Sequence, residues 1–99
     1  MHSVYMLRCL DGTYYVGSTS DLERRLGEHQ TGFFRDYTST RLPIDLVWSQ
    51  EFPTEPEAFA TERQVKGWSR AKKEALIGGD WDKLHEIVKK ERKIREARK

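Results

Sequence analysis

The sequence predicts an α+β fold: a small, mainly antiparallel three-stranded sheet flanked by helices and closed by a basic C-terminal helix. Three observations carry this expectation. A strand-like segment of mixed pattern and one rich in β-formers flank Asp11-Gly12, a hairpin turn signal. A third segment of that kind lies at 44–52. Two capping-box patterns, opening at Ser20 and at Thr54, each precede a helical stretch.

The elements follow in order. Residues 3–9 read as the first strand and 13–18 as its hairpin partner. Ser20 is the expected N-cap of a helix, with Glu23 at its third position and Thr31-Gly32 as its stop. Leu22, Arg25, Leu26 and His29 share one face of that helix. A packing face that carries Arg and His is unusual, because buried charge is costly unless paired. Residues 33–43 read as a loop, and 44–52 as the third strand. Thr54 caps a helix over 55–66, with Pro56 tolerated in its first turn. Ser69 caps a short basic helix through Ile77, which Gly78-Gly79 ends. Asp80 caps a last helix with the apolar stripe Trp81, Leu84, Ile87 and Val88. The final ten residues hold little that is apolar and are expected to project or fray.

Composition narrows the class. A chain of 99 residues suits one small domain and not two. Its core is thin, since a domain this size buries roughly 60–65% of its unfolded surface. Three Trp, four Tyr and four Phe support that core and argue against disorder. No apolar run approaches the ~20 residues of a membrane span, and the N-terminus lacks the pattern of a signal peptide. A lone Cys9 has no internal disulfide partner, which suits a reducing cytoplasm. His2, Cys9, His29 and His85 show no zinc-ligand spacing. The 18 Lys and Arg exceed the 16 Asp and Glu by two, but the excess is uneven. Residues 89–99 carry seven basic and two acidic side chains, net +5. Such a tail is compatible with a nucleic-acid partner, and equally with a solvated helix end.

A polar site is expected on the hairpin. Tyr5 and Tyr15 fall on strands that pair around Asp11-Gly12, which places both on one side of the sheet. Arg25 and His29 arrive from the helix that packs back on the hairpin. Glu62 lies in a later helix, with Lys66 one turn on. Taken singly, each has an ordinary explanation. A strand tyrosine packs, an arginine snorkels, and Glu62 with Lys66 is a favourable surface pair.

Taken together they resemble a known family. Ser3-Val4-Tyr5 followed by Tyr15-Val16-Gly17 resembles the paired signature of the GIY-YIG nuclease superfamily. Ser3 and Val4 replace the Gly and Ile of its first motif, and Val16 the Ile of its second. The stretch from Asp21 to His29 looks like the helix that carries that family's arginine, with a histidine four residues later. Glu62 stands where the family places its metal-binding glutamate. Tyr37-Thr38, Arg41, Pro43, Leu46-Val47-Trp48 and the segment 69–77 resemble its small stand-alone branch. The similarity spans about residues 3–77. It implies a nuclease domain over 1–80, with 81–99 an amphipathic to basic helix of the same domain.

The resemblance also implies chemistry. The expected activity is metal-dependent hydrolysis of a phosphodiester, with DNA the favoured substrate and repair or processing of unusual DNA structures the setting. Tyr5 would act as general base or orient the water, and Tyr15 would position it. Arg25 would neutralise charge on the phosphate, for which a planar fork suits better than Lys. His29 would donate to a phosphate oxygen or share a proton with a tyrosine. Glu62 would hold one Mg²⁺ or Mn²⁺, hard ions that prefer oxygen. Gly17 would be needed where a Cβ blocks the arginine-bearing helix or the phosphate; the ordinary reading is a bulge or strand-end glycine. Tyr37, Arg41, Lys66, Arg70, Lys72 and Lys73 would contact the nucleic-acid backbone. Two other readings use the same scaffold. One is a binding module that holds nucleic acid without cutting it. The other is an interaction protein, a monomer or weak dimer, that docks a partner through Trp81 and Leu84.

Overall fold

A computed structural model of the chain describes residues 1–31 and 42–97. Its first strand, β1 (His2–Arg8), is followed by β2 (Tyr14–Thr19), α1 (Leu22–Gln30), β3 (Asp45–Phe52), α2 (Glu55–Lys66), α3 (Arg70–Ile77) and α4 (Trp81–Ala97). The chain divides into two units, residues 1–67 and 68–99. The first holds the sheet with α1 and α2, and the second holds α3 and α4.

The hairpin forms where the turn signal stands, through a three-residue loop. Gly12 donates to the Cys9 carbonyl at 2.9 Å, and Cys9 donates to the Thr13 carbonyl at 2.9 Å. Gly12 takes a left-handed φ of +83°, while no non-glycine residue among those described has a positive φ. That excludes the two-residue turn in which Asp11 would also be left-handed. The Asp11 carboxylate instead accepts from the Thr13 amide at 3.1 Å and from its hydroxyl at 2.6 Å, closing the bend locally.

The sheet order is β2-β1-β3 and both pairings are antiparallel. β1 is central, and five consecutive residues from Ser3 to Leu7 are buried. The pleat divides them. Ser3, Tyr5 and Leu7 face one way, and His2, Val4 and Met6 the other. Tyr5, Leu7, Cys9 and Ile44 form a core cluster to which Leu22 and Leu26 of α1 add half-buried side chains. α2 lies on the opposite face. The His2 and Phe59 rings meet edge to face at 5.8 Å, and α2 buries Ala58 and Val65.

Local signals set the helix ends with one shift. Ser20 is not the N-cap of α1. Asp21 is, accepting from the Arg24 amide at 3.2 Å. β2 runs one residue further than expected, and Thr19, its last residue, bonds both the amide and the carbonyl of Asp21. Helical geometry therefore begins after Asp21, and Glu23 falls one position short of a capping box. Thr54, Ser69 and Asp80 cap as predicted. α4 continues to Ala97 and does not fray after Val88. Apart from Ile94, its last turns are built from Lys, Glu, Arg and Ala, all strong helix formers.

Met6 has no exposed surface and lies in the central strand. Met6→Ala is expected to cost about 2–5 kcal/mol, lowering the thermal midpoint by roughly 10 °C or more. Arg8→Ala on the exposed end of the same strand should stay within ~0.5 kcal/mol. Circular dichroism melts of the two variants check this, and equal midpoints would contradict the packing described.

Candidate active site

The site is built on one cross-strand pair. Tyr5 of β1 stands directly opposite Gly17 of β2. A Cβ on Gly17 would lie 2.6 Å from the Tyr5 hydroxyl oxygen and 2.7 Å from its Cζ. It would also lie 3.2 Å from a ring carbon of Tyr15. Gly17 is therefore neither a bulge nor a strand-end residue. Its missing side chain is the space in which the Tyr5 phenol lies. The obstruction differs from the one expected, being a tyrosine ring rather than the helix or a phosphate.

Three rings gather there. The Tyr5 hydroxyl and His29 Nε2 are hydrogen-bonded at 2.9 Å. The ring centroids of Tyr15 and His29 are 5.1 Å apart and meet edge to face. Tyr5 and Tyr15 are diagonal neighbours across the hairpin, 6.3 Å apart. Tyr5 and His29 are each only 1% exposed, whereas Tyr15 is half-buried. Arg25, one turn before His29 on α1, is half-buried. The hairpin and the first helix thus bring together Tyr5, Tyr15 and His29, with Arg25 on the same helix.

Glu62 approaches from the other face. Its Oε2 accepts from the Ser18 hydroxyl at 3.2 Å, and its Oε1 pairs with Lys66 Nζ at 3.2 Å. Ser18 follows Gly17 on β2, so the pleat turns its side chain away from the tyrosines and toward α2. Ser18 was not among the residues expected at the site. The signal for it is this alternation, legible once Gly17 is fixed on the tyrosine face.

The remaining basic residues are dispersed. Arg70 pairs with Glu74 on α3 at 2.9 Å. Lys72 is only 8% exposed, with its ammonium 5.2 Å from the centre of the Trp68 ring. Lys72 is thus the least accessible of the expected backbone contacts among the described residues. Lys73 is half-buried, and Tyr37 and Arg41 lie outside the described residues. In the second unit, Trp81 is well exposed and Leu84 half-buried.

No group of three or more potential His, Cys, Asp or Glu ligands occurs among the described residues. A metal at Glu62 would thus rest on one protein carboxylate. The donor set fits a hard cation of that kind. The carboxylate accepts from a neutral hydroxyl on one oxygen, and the other pairs with the half-exposed Lys66 ammonium.

The hairpin thus sets two tyrosines against a histidine of α1, the helix that also carries Arg25. Residues 1–75 match the family model described as the GIY-YIG catalytic domain, and the chain belongs to that family. Members of the family generally use divalent metal ions, and its domain implies a nucleic-acid substrate. A UPF0213 protein of Halobacterium salinarum is 46% identical over 77 residues, covering 78% of this chain and all of that protein. The solution NMR structure of a UPF0213 protein from Bacillus halodurans is 44% identical with a TM-score of 0.52, covering 78% of this chain and 82% of that one. A second solution NMR structure, of a protein from E. faecalis, is 36% identical with a TM-score of 0.55, covering 79% and 83%. These neighbours bear out the antiparallel three-stranded α+β fold. No helix among the described residues is long and apolar enough to cross a membrane.

Gly17→Ala is expected to displace the Tyr5 ring, break its bond to His29 and destabilise the domain by about 1–3 kcal/mol. Thermal unfolding, read with the His29 ring signals in NMR spectra, checks both effects. An unchanged midpoint with unchanged His29 signals would refute the close approach.

Proposed function

We propose that this chain is a metal-dependent endonuclease that hydrolyses phosphodiester bonds in nucleic acid, DNA foremost, including damaged or branched forms met in repair. The observation that carries the reading is the Tyr5–His29–Tyr15 cluster seated over Gly17, beside the strand residue that holds Glu62. A tyrosine and histidine buried and hydrogen-bonded at 2.9 Å are more than the hydrophobic core requires. Convergent buried polar groups of this kind are characteristic of reaction sites.

Burial supports a division of labour between the tyrosines. Tyr15 is the accessible one and is the group proposed to face the attacking water. Tyr5 and His29 are closed off from bulk solvent and act through Tyr15, holding its ring and the local proton balance. This reverses the order of the roles that the sequence suggests, where Tyr5 is the first candidate base. A free phenol has a pKa near 10, so only about 0.1% is ionised at pH 7. Positive charge is therefore needed nearby, and Arg25 is proposed to supply it while gripping the phosphate oxygens. Water oxygen adds to phosphorus, its proton passes to Tyr15 in its phenolate form, the bond to the 3′ oxygen breaks, and the released 3′ oxygen takes a proton from solvent. Mg²⁺ or Mn²⁺ held by Glu62 would, when bound, stabilise negative charge on the phosphate and leaving oxygen.

The two faces constrain where the phosphate lies. Tyr15 and Arg25 belong to the α1 side of the sheet, Glu62 to the α2 side. β1 is occupied on both edges, by β2 and β3. A phosphate that reaches both halves is proposed to lie across the free edge of β2 at Gly17 and Ser18.

Labelled single-stranded, duplex, flapped and branched DNA, with RNA alongside, test the activity. Cleavage is expected with Mg²⁺ or Mn²⁺, and EDTA should abolish it. Glu62→Ala and Arg25→Ala are each expected to lower it by about 10²–10³-fold. Binding without cleavage on every substrate would turn the reading to a non-catalytic binding module.

The tyrosine assignment has its own signature. Tyr15→Phe should reduce turnover by roughly 10²–10⁴-fold with little change in thermal midpoint. Tyr5→Phe should also lower stability by about 1–3 kcal/mol, because buried His29 loses a partner. Turnover unaffected by Tyr15→Phe would remove Tyr15 from the chemistry.

A further inference from the structure

The Glu62 carboxylate is bracketed by two unlike groups. Ser18 donates a neutral hydroxyl to Oε2, and Lys66 places a full positive charge at Oε1, each at 3.2 Å. The Glu62 side chain is 17% exposed and the Lys66 side chain 55%. One partner is thus a short, strand-borne anchor. The other is a long flexible cation that can leave.

We propose that Lys66 is a resident stand-in for the catalytic cation, displaced from Glu62 when a divalent ion binds and thereby released to the substrate phosphate. The inference rests on the proposed role of Glu62 as metal ligand. Three features of the chain support it. An ammonium and a dication cannot share one carboxylate oxygen without strong like-charge repulsion, so occupancy of Oε1 is exclusive. The Ser18 bond is compatible with either occupant, since hydroxyl donation to a ligating carboxylate orients it without adding charge. Ser18 is therefore a positioning residue that holds Oε2 while Oε1 changes partner. Lys66 also sits in the last turn of α2, one turn beyond Glu62. Its four-carbon stem allows the ammonium to swing from Oε1 toward an anion bound beside Glu62.

Two consequences follow from the exchange. The ion-free chain competes with its own metal, which weakens ion binding in the absence of substrate. Once an ion is seated, the chain gains a cationic contact for phosphate that it did not offer before. Metal and nucleic acid then bind cooperatively, with the same coupling factor seen from either side.

The test titrates Mn²⁺ alone into the full chain and follows paramagnetic broadening of the amide signals near residues 18 and 62. Wild type, Lys66→Met, Lys66→Arg and Glu62→Gln are compared. Met keeps the stem, removes the charge and suits a helix, so the fold is not at risk. Lys66→Met should bind Mn²⁺ about two- to fivefold more tightly than wild type, the range expected for loss of a partly exposed ion pair. Lys66→Arg should stay near wild type, and Glu62→Gln should lose the site. Affinity for a phosphorothioate duplex is then measured in EDTA and in Mn²⁺. The wild-type salt dependence, as the slope of log K against log salt, should steepen by about 0.9 with Mn²⁺, one added phosphate contact, and that increment should vanish in Lys66→Met. Equal or weaker Mn²⁺ binding by Lys66→Met, with Glu62-dependent binding intact in wild type, overturns the exchange and leaves the nuclease reading standing. An increment that persists in Lys66→Met also overturns it. Absence of any Glu62-dependent Mn²⁺ binding in wild type overturns both the exchange and the metal role of Glu62.

Discussion

The phenol of Tyr5 crosses its partner strand because the residue opposite has no side chain. That one close approach organises the first half of the molecule. It carries the Tyr5 hydroxyl over β2 to His29 of α1, where the two buried groups satisfy each other at 2.9 Å. Both are only 1% exposed, so breaking this bond removes a hydrogen bond from the core. The bond therefore fixes the rotation of α1 on the sheet. Leu22 and Leu26 follow into the core cluster, and Arg25 is set between them at the half-buried rim. A helix whose packing face carries Arg and His is stable here because one polar group is bonded internally and the other stands at the boundary.

The next residue along β2 performs the complementary task. Strand alternation turns Ser18 away from the tyrosines and onto the face covered by α2, where it meets Glu62. Two adjacent residues, one without a side chain and one with a short hydroxyl, thus connect the strand to both flanking helices. Positions on a paired strand are held more precisely than positions on a loop. The geometry is compatible with the proposed single-carboxylate site. A site assembled from two helices through one edge strand leaves its centre open to a ligand that brings its own oxygens.

The sequence made much of this legible. Asp11-Gly12 sets the hairpin, and the spacing of Tyr5 and Tyr15 about it puts both on one face. The helical repeat then groups Arg25 with His29. Other features depended on tertiary context. The shift of the N-cap from Ser20 to Asp21 arises from one extra residue of β2 and from Thr19 bonding Asp21, which a local capping pattern does not encode. The purpose of Gly17 is visible only when the register puts Tyr5 opposite it. The burial of Lys72 under Trp68 needs the three-dimensional path of the chain, since a basic run on a short helix reads as solvated surface. That Glu62 stands on the face away from the tyrosines could not be read from spacing at all, because it depends on which side of the sheet α2 crosses.

Burial finally bears on how a phosphodiester would meet the proposed site. A base that accepts a proton from water must be reachable by water, and a buried tyrosine bonded to a buried histidine is not. Tyr15 meets that requirement while touching the same histidine ring. Interactions in a poorly solvated cluster are weakly screened, so the proposed reading couples the three rings. The buried pair would then set the electrostatic balance and the half-buried tyrosine would carry the proton. With Arg25 at the rim on one side of β2 and Glu62 on the other, the outer edge of that strand is where the proposed attack, charge neutralisation and metal binding would act on one phosphate.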